Sequence, residues 1–207
     1  MEKKKLVRIF DKQATRYEKN RESVKQQRMR RSLISKAEGE VLELAVGAGA
    51  NFPYYPAGVK VTAADFSKAM LERAKNAAVI NHVSAEFICS DIEELQFEDH
   101  SFDTIVSTLS FCSYENPLLI MKKIQQWCKP GGKILLMEHG ISTNRFVASI
   151  QKILNPILYR TIGCHHTRNI LEMTRESGLS VDRMESYYFN MIRVLWAKPG
   201  REYLFLK

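Results

Sequence analysis

Short apolar runs and longer stretches with apolar residues every three or four positions take turns along the chain, as strands alternating with helices would. The run from Val41 to Val46 breaks into a glycine turn at Gly47 and Gly49, and Val59–Ala64 closes on Asp65. Ala85–Cys89 reaches Asp91, Asp103–Ser107 leads to Thr108, and Lys133–Glu138 stops before His139. Helices are expected over 67–79, with Ser67 as N-cap, and over 116–128, with Pro117 in the first turn. Ahead of the first strand, Leu6, Phe10, Ala14 and Tyr17 share one helical face within 3–20. A second helix over about 21–37 is expected to end at Gly39 as its C′ residue, with Arg28, Arg30 and Arg31 on a solvated face.

Beyond the fifth strand the rhythm changes. Phe146, Val147, Ile150, Ile153, Leu154, Ile157 and Leu158 recur at helical spacing, which reads as a core-facing stripe or, alternatively, one wall of an entrance. A helix near 169–177 and strands around 180–188 and 191–198 follow, the two strands joined by a short turn and so antiparallel. Five strands joined through helices imply a parallel sheet with right-handed crossovers. The expected division is a basic helical lid over 1–38 and one α/β domain over 39–207.

Composition narrows the picture in one respect. The net charge of +8 is uneven: residues 1–36 carry 13 of the 31 Lys and Arg but 4 of the 23 Asp and Glu. The remainder is nearly neutral, so the excess concerns partners of the N-terminal segment rather than the fold. Cysteines 89, 112, 128 and 164 lack paired close spacing and read as reduced thiols in a cytosolic protein with no metal site. No secretory leader and no membrane-length apolar run is visible.

The candidate chemistry lies at the strand ends. Glycine lets backbone approach a ligand closely, and Glu43, Asp65 and Asp91 put an acid at each of three successive strand ends. Glu43-Leu44-Ala45-Val46-Gly47-Ala48-Gly49, Val61–Ser67, Asp91 and Lys129-Pro130-Gly131-Gly132-Lys133 together resemble the motifs of class I S-adenosylmethionine-dependent methyltransferases. Ala45 departs from them, standing where the family usually has its first glycine. The resemblance implies a single Rossmann-like, doubly wound, mostly parallel seven-stranded sheet with an antiparallel C-terminal edge and an N-terminal helical lid. It also implies S-adenosylmethionine as cofactor, surrounded by Glu43, Ala45, Gly47, Gly49, Asn51, Asp65, Phe66, Met70, Asp91, Ile92 and Thr108. Glu43 would orient the methionine end, Asp65 would accept from the ribose and Asp91 from the adenine amino group.

Phe10–Tyr17 resembles the N-terminal stretch of ubiquinone/menaquinone-type and phospholipid N-methyltransferases, in which the tyrosine reaches over the cofactor. Tyr17 is therefore a candidate catalytic residue, the alternative being a cap on the core. His139 is the candidate general base, because an imidazole titrates near neutral pH, and His165 and His166 follow it. Phe52, Tyr54 and Tyr55 either line the pocket or pack beneath the turn. The stretches Ser101–Leu109, Glu138-His139-Gly140 and Gly163–Arg168 look closest to thiol S-methyltransferases. A small-molecule or lipid acceptor is expected, with peripheral contact to an anionic membrane as a possible partner for the basic segment. Nucleic-acid methylation and cofactor binding without turnover stand as alternatives; no amino-methylation motif of the Asn/Asp-Pro-Pro-Tyr type is present.

Overall fold

The β-branched and leucine-rich runs become the inner strands because both faces of a parallel sheet are buried. The computed structural model describes residues 2–19 and 23–203, and their side chains except those of 15–19. Strands β1 (Glu40–Leu44), β2 (Lys60–Asp65), β3 (Ser84–Cys89), β4 (Phe102–Thr108) and β5 (Cys128–His139) are parallel. Strands β6 (Ser180–Tyr187) and β7 (Ile192–Lys198) are antiparallel, with β7 paired to β5. The order β3-β2-β1-β4-β5-β7-β6 is the mostly parallel, seven-stranded, Rossmann-like sheet with an antiparallel edge. Chain direction reverses outward from β1 and β4, so their carboxyl ends border the crevice where such sheets bind ligands.

Helices α1 (Lys3–Lys19), α2 (Val24–Ile34), α3 (Lys68–Ile80), α4 (Pro117–Trp127), α5 (Arg145–Ile162) and α6 (Ile170–Glu176) complete the chain. Ser67 caps α3 by accepting from the Met70 N–H, and Pro117 opens α4. Ser23 and Gln26 form a capping box on α2. Met29, Leu33 and Ile34 of α2 are buried with Val41, Val61, Val106 and Leu135, so α2 belongs to the core.

Three expectations change. Gly39 is not the C′ residue of α2, which ends at Ile34. Gly39 instead sits at φ +64° where a Cβ would meet the Asp103 carboxylate at 2.3 Å, so close approach to that side chain demands glycine. The fifth strand begins well before Lys133: Lys129–Gly132 form an irregularity inside β5, whose pairing jumps from Phe102↔Cys128 to Thr104↔Lys133.

The third change concerns α5, which buries none of its residues. Phe146 is 75% exposed, Ile153 74% and Ile157 60%, with Ile150 and Leu154 also exposed. Its half-buried side mixes Val147, Leu158 and Tyr159 with the polar Gln151 and Asn155. Gln151 Nε2 donates to the carbonyls of Gly140 (3.0 Å) and His166 (3.1 Å), and Asn155 Oδ1 accepts from the His166 N–H (2.8 Å).

Candidate active site

The turn after β1 is held open by backbone geometry that glycine supplies at one position and alanine must force at another. Gly47 has φ +56° and nothing within 4 Å of where its Cβ would be, leaving bare backbone toward the crevice. Ala45 has φ +50°, a left-handed conformation that opposes its Cβ, and lines the crevice. Gly49 serves packing: a Cβ there would lie 2.9 Å from both the Ala77 Cβ and the Phe52 ring. Phe52 is buried beneath the turn, which settles its role between the two expected.

Glu43 is buried and fully engaged inside the protein. Its Oε1 accepts from Asn51 Nδ2 and its Oε2 from the Tyr55 hydroxyl, each at 2.8 Å. Burial pushes its carboxyl up to about 7, against the pull of those hydrogen bonds. Asn51 passes the order onward: its Oδ1 accepts from Arg30 Nη1 at 2.7 Å, and its Nδ2 donates to Thr108 Oγ1 at 3.1 Å. Arg30 Nη1 also donates to Thr108 Oγ1 at 2.8 Å.

Arg30 therefore does not lie on a solvated face. It is 5% exposed and lines the crevice. A signal for it existed in the helical period, since Arg30 stands four residues before buried Ile34.

Asp65 ends β2 with its carboxylate turned back on the chain. Oδ2 accepts from the Gly47 N–H (2.9 Å) and Oδ1 from the Ser67 N–H (2.8 Å). Burial pushes Asp65 up to about 6, opposed by those bonds, with the nearby Asp11 adding a smaller push in the same direction. Ser67 Oγ in turn donates to Asp11 Oδ1 at 2.5 Å, tying α1 to the start of α3. Asp91 caps the short 3₁₀ helix Ile92–Glu94 through the Glu93 N–H and forms an ion pair with Lys3 of α1.

Helix α1 thus lies across the strand ends on the face the spacing predicted, with Phe10 edge-on to Phe66 at 5.3 Å and Ala14 fully buried. Two adjoining clefts remain beneath it, sharing Phe66 and Ser113 as wall. One holds about 720 Å³ of empty space and is lined by Phe10, Arg30, Ala45, Gly47, Asp65 and Thr108 among others. The other holds about 470 Å³, with Lys3, Leu6, Asp91, Tyr114 and Tyr159 around it.

Of the sequence candidates, Met70 also lines the first cleft, whereas Ile92 is buried in the core beside Leu95 and Ile120. The Tyr17 side chain lies outside the described residues. Leu109, Ser110 and Ser113 complete the cleft wall, and Leu109 holds φ +58°.

His139 lines neither cleft. It stacks on His166 with ring centroids 4.6 Å apart, and one of its ring nitrogens lies within 4.8 Å of the sulfurs of Cys112 and Cys164. Burial lowers His166 to about 4, helped by the charge of His139. His165 stacks on Tyr159 at 3.8 Å instead. Glu138, next to His139 in sequence, is fully buried and collects donors from Ser107 Oγ (2.9 Å), the Ser110 N–H (2.9 Å) and the Phe111 N–H (3.1 Å). This carboxylate fixes the turn that carries Ser110, Cys112 and Ser113.

A Rossmann-like sheet with an acid at each of its first three strand ends thus lies under a helical roof, with the paired clefts between them. Residues 42–136 match the family model described as a methyltransferase domain. Thiol S-methyltransferase TMT1B of Rattus norvegicus is 32% identical over 81% of this chain and 66% of its own length. Phosphatidylethanolamine N-methyltransferase of Cereibacter sphaeroides is 30% identical over 69% of this chain and 71% of its own. A solved protein of Pyrococcus horikoshii OT3 superposes with TM-score 0.68 over 88% of this chain and 93% of its own, at 20% identity, and shares the fold. The chain belongs to the methyltransferase-domain family, and it spans 66% and 65% of the length of the rat and mouse thiol methyltransferases it matches.

Proposed function

We propose that this chain transfers the methyl group of S-adenosylmethionine to a small-molecule or lipid nucleophile. The observation carrying this reading is the distribution of charge along the paired clefts: Arg30 in one, Asp65 between backbone N–H groups, and Asp91 in the other. A buried guanidinium suits the cofactor's carboxylate, because its charge-assisted hydrogen bonds are the stronger kind. The lone pairs left on Asp65 suit ribose hydroxyls, and Asp91 suits an exocyclic amine. Glu43 acts as a positioning residue through Asn51, rather than touching the methionine end itself. Tyr17, in register with Phe10 on α1, would extend the roof.

When bound, the cofactor supplies a sulfonium that activates its methyl carbon. Arg30, Asp65 and Asp91 would hold it along the paired clefts, where an acceptor lone pair would take the methyl as the sulfur became a neutral thioether. The acceptor's proton leaves to solvent. The protein's share is alignment and exclusion of water, and alignment alone can lower a barrier by about 7–11 kcal/mol.

Titration calorimetry with S-adenosylhomocysteine, followed by a labelled-methyl screen over thiols, amines, phenols and phospholipid vesicles, tests the reading. Binding of the product with methylation of one acceptor class is expected. A thermal midpoint indifferent to S-adenosylhomocysteine would overturn it.

The partner proposed for the outer surface is an anionic lipid surface. The apolar stripe of α5 faces outward with Arg145, Lys152 and Arg160 exposed beside it. Lys5 of α1 shares a shallow concavity with Pro156, Tyr159 and Arg160, which joins the basic helix to this stripe. Apolar side chains rimmed by cations suit the headgroup boundary of an anionic bilayer. No helix among the described residues is long and apolar enough to cross a membrane.

A further inference from the structure

Cys112, His139 and Cys164 come from three distant segments, yet their ligand atoms all lie within 4.8 Å of one another. Cys112 lies in the turn after β4, His139 ends β5, and Cys164 follows α5. A tetrahedral zinc–thiolate site has sulfur–sulfur edges of roughly 3.7 Å, so closure asks each group to move by about an ångström at most. The surroundings are built to hold the three in place. The His165 N–H donates to the Cys112 carbonyl at 2.9 Å, sewing the two cysteine-bearing segments together. Asn155 and Gln151 of α5 clasp the backbone of His166, and Gln151 also holds Gly140, next to His139.

Within the cluster the Cys112 and Cys164 thiols hydrogen-bond to each other, and Cys164 to His139. His139 Nδ1 and His166 Nε2 are both buried without a hydrogen bond, and buried imidazole nitrogens are normally satisfied. The Cys112 thiol has a weak contact with the Leu109 carbonyl at 3.6 Å.

We propose that Cys112, His139 and Cys164 bind a soft divalent cation of the zinc type, with a fourth position left for an exogenous thiolate. Two thiols and an imidazole are the donor set that favours such an ion over magnesium or calcium. Three protein ligands leave zinc open to one further ligand. Cys112 directly precedes Ser113, which lines both clefts, so a group held by the cluster would stand one residue from the wall of the proposed methyl-transfer site. A thiol binding there releases its proton to water and presents sulfur as thiolate. That last assignment rests on the methyl-transfer reading; the metal site itself does not.

The test uses the full chain. Elemental analysis after purification without chelator should give about one zinc per chain, and cobalt(II) loaded in its place should show thiolate-to-metal absorption in the near ultraviolet. Cys112→Ser, Cys164→Ser and His139→Asn should each lose the metal by tenfold or more in affinity. Cys89→Ser, at an exposed thiol outside the cluster, should keep it. His166→Ala should also keep it, and loss of metal in that variant would overturn the open fourth position. Adding a small thiol should shift the visible cobalt bands; an unchanged spectrum overturns the acceptor assignment. A wild-type chain that binds S-adenosylhomocysteine but retains no zinc and develops no cobalt–thiolate band overturns the metal site. So does a Cys112–Cys164 disulfide whose reduction restores no such band. Failure of the methyl-transfer reading would show separately, as loss of the product-induced thermal shift with metal content intact.

Discussion

Arg30 Nη1 reaches Asn51 Oδ1 at 2.7 Å, and through it a helix ahead of the sheet is joined to the turn that follows β1. The bond turns Glu43, Asn51 and Arg30 into one chain of groups ending in a cation at the cleft wall. Arg30→Met should keep the aliphatic packing of the stem and remove the charge. A hydrogen bond to a charged group contributes about 1.5–3 kcal/mol, so the affinity for S-adenosylhomocysteine should fall roughly 10- to 150-fold. Calorimetry on a variant whose unfolding midpoint is within a few degrees of wild type decides the matter; undiminished affinity would remove Arg30 from the cofactor site.

Ala45 at φ +50° carries a conformational cost that glycine would not. Left-handed backbone costs an ordinary residue roughly 1–2 kcal/mol, whereas glycine loses about 0.5–1 kcal/mol more freedom on folding. Ala45→Gly should therefore be neutral to slightly stabilising, by up to about 1 kcal/mol, and should bind S-adenosylhomocysteine more tightly because a methyl leaves the cleft wall. Denaturant unfolding and titration of the same preparation give both numbers. A clear loss of stability would mean that the alanine methyl is needed for packing.

The buried acids make stability depend on pH in a direction opposite to that of paired surface carboxylates. Burial raises Glu43 from 4.5 to about 7 and Asp65 from 3.8 to about 6. Between those limits the folded chain holds protons that the unfolded chain has released. The resulting stability is complete below about pH 4 and is lost as pH rises through 6 and then 7. The thermal midpoint of the ligand-free chain should fall from about pH 5 to pH 7.5, and Glu43→Gln should flatten the upper part of that slope. A midpoint that climbs over this interval would contradict the assignment.

The exposed stripe of α5 predicts its own partner experiment. Ile153→Glu with Ile157→Glu changes two side chains that are 74% and 60% exposed, so folding should be unaffected. Co-sedimentation with anionic vesicles should be strong for wild type, weaker with neutral vesicles, and reduced at least tenfold in the double variant. Equal, negligible sedimentation with both vesicle types would dismiss the lipid surface.

Much of this site was visible in residue order, because its parts are local. Gly47 announces itself in the turn after β1, and Asp65 and Ser67 in the short link from β2 to α3. Arg30 escaped notice because an arginine on a helix is usually solvated, and its burial depends on Asn51 and Thr108, which lie far along the chain. The period of α5 was plain, but a period does not say which side faces in. There the answer came from Gln151 and Asn155, whose inward hydrogen bonds turn Phe146, Ile150, Ile153, Leu154 and Ile157 outward. The Cys112–His139–Cys164 cluster had no spacing to find, since the adjacency of β4 and β5 creates it.

Helix α1 is fastened over the crevice at its flanks: Asp11 receives the Ser67 hydroxyl on one side, and Lys3 pairs with Asp91 on the other. Anything enclosed below shares its way out with those two bonds. One is a hydroxyl–carboxylate contact that salt hardly touches, and the other is an ion pair with a half-exposed lysine that salt weakens. Ionic strength thus works on the two ends of the roof unequally, loosening the end over Asp91 first.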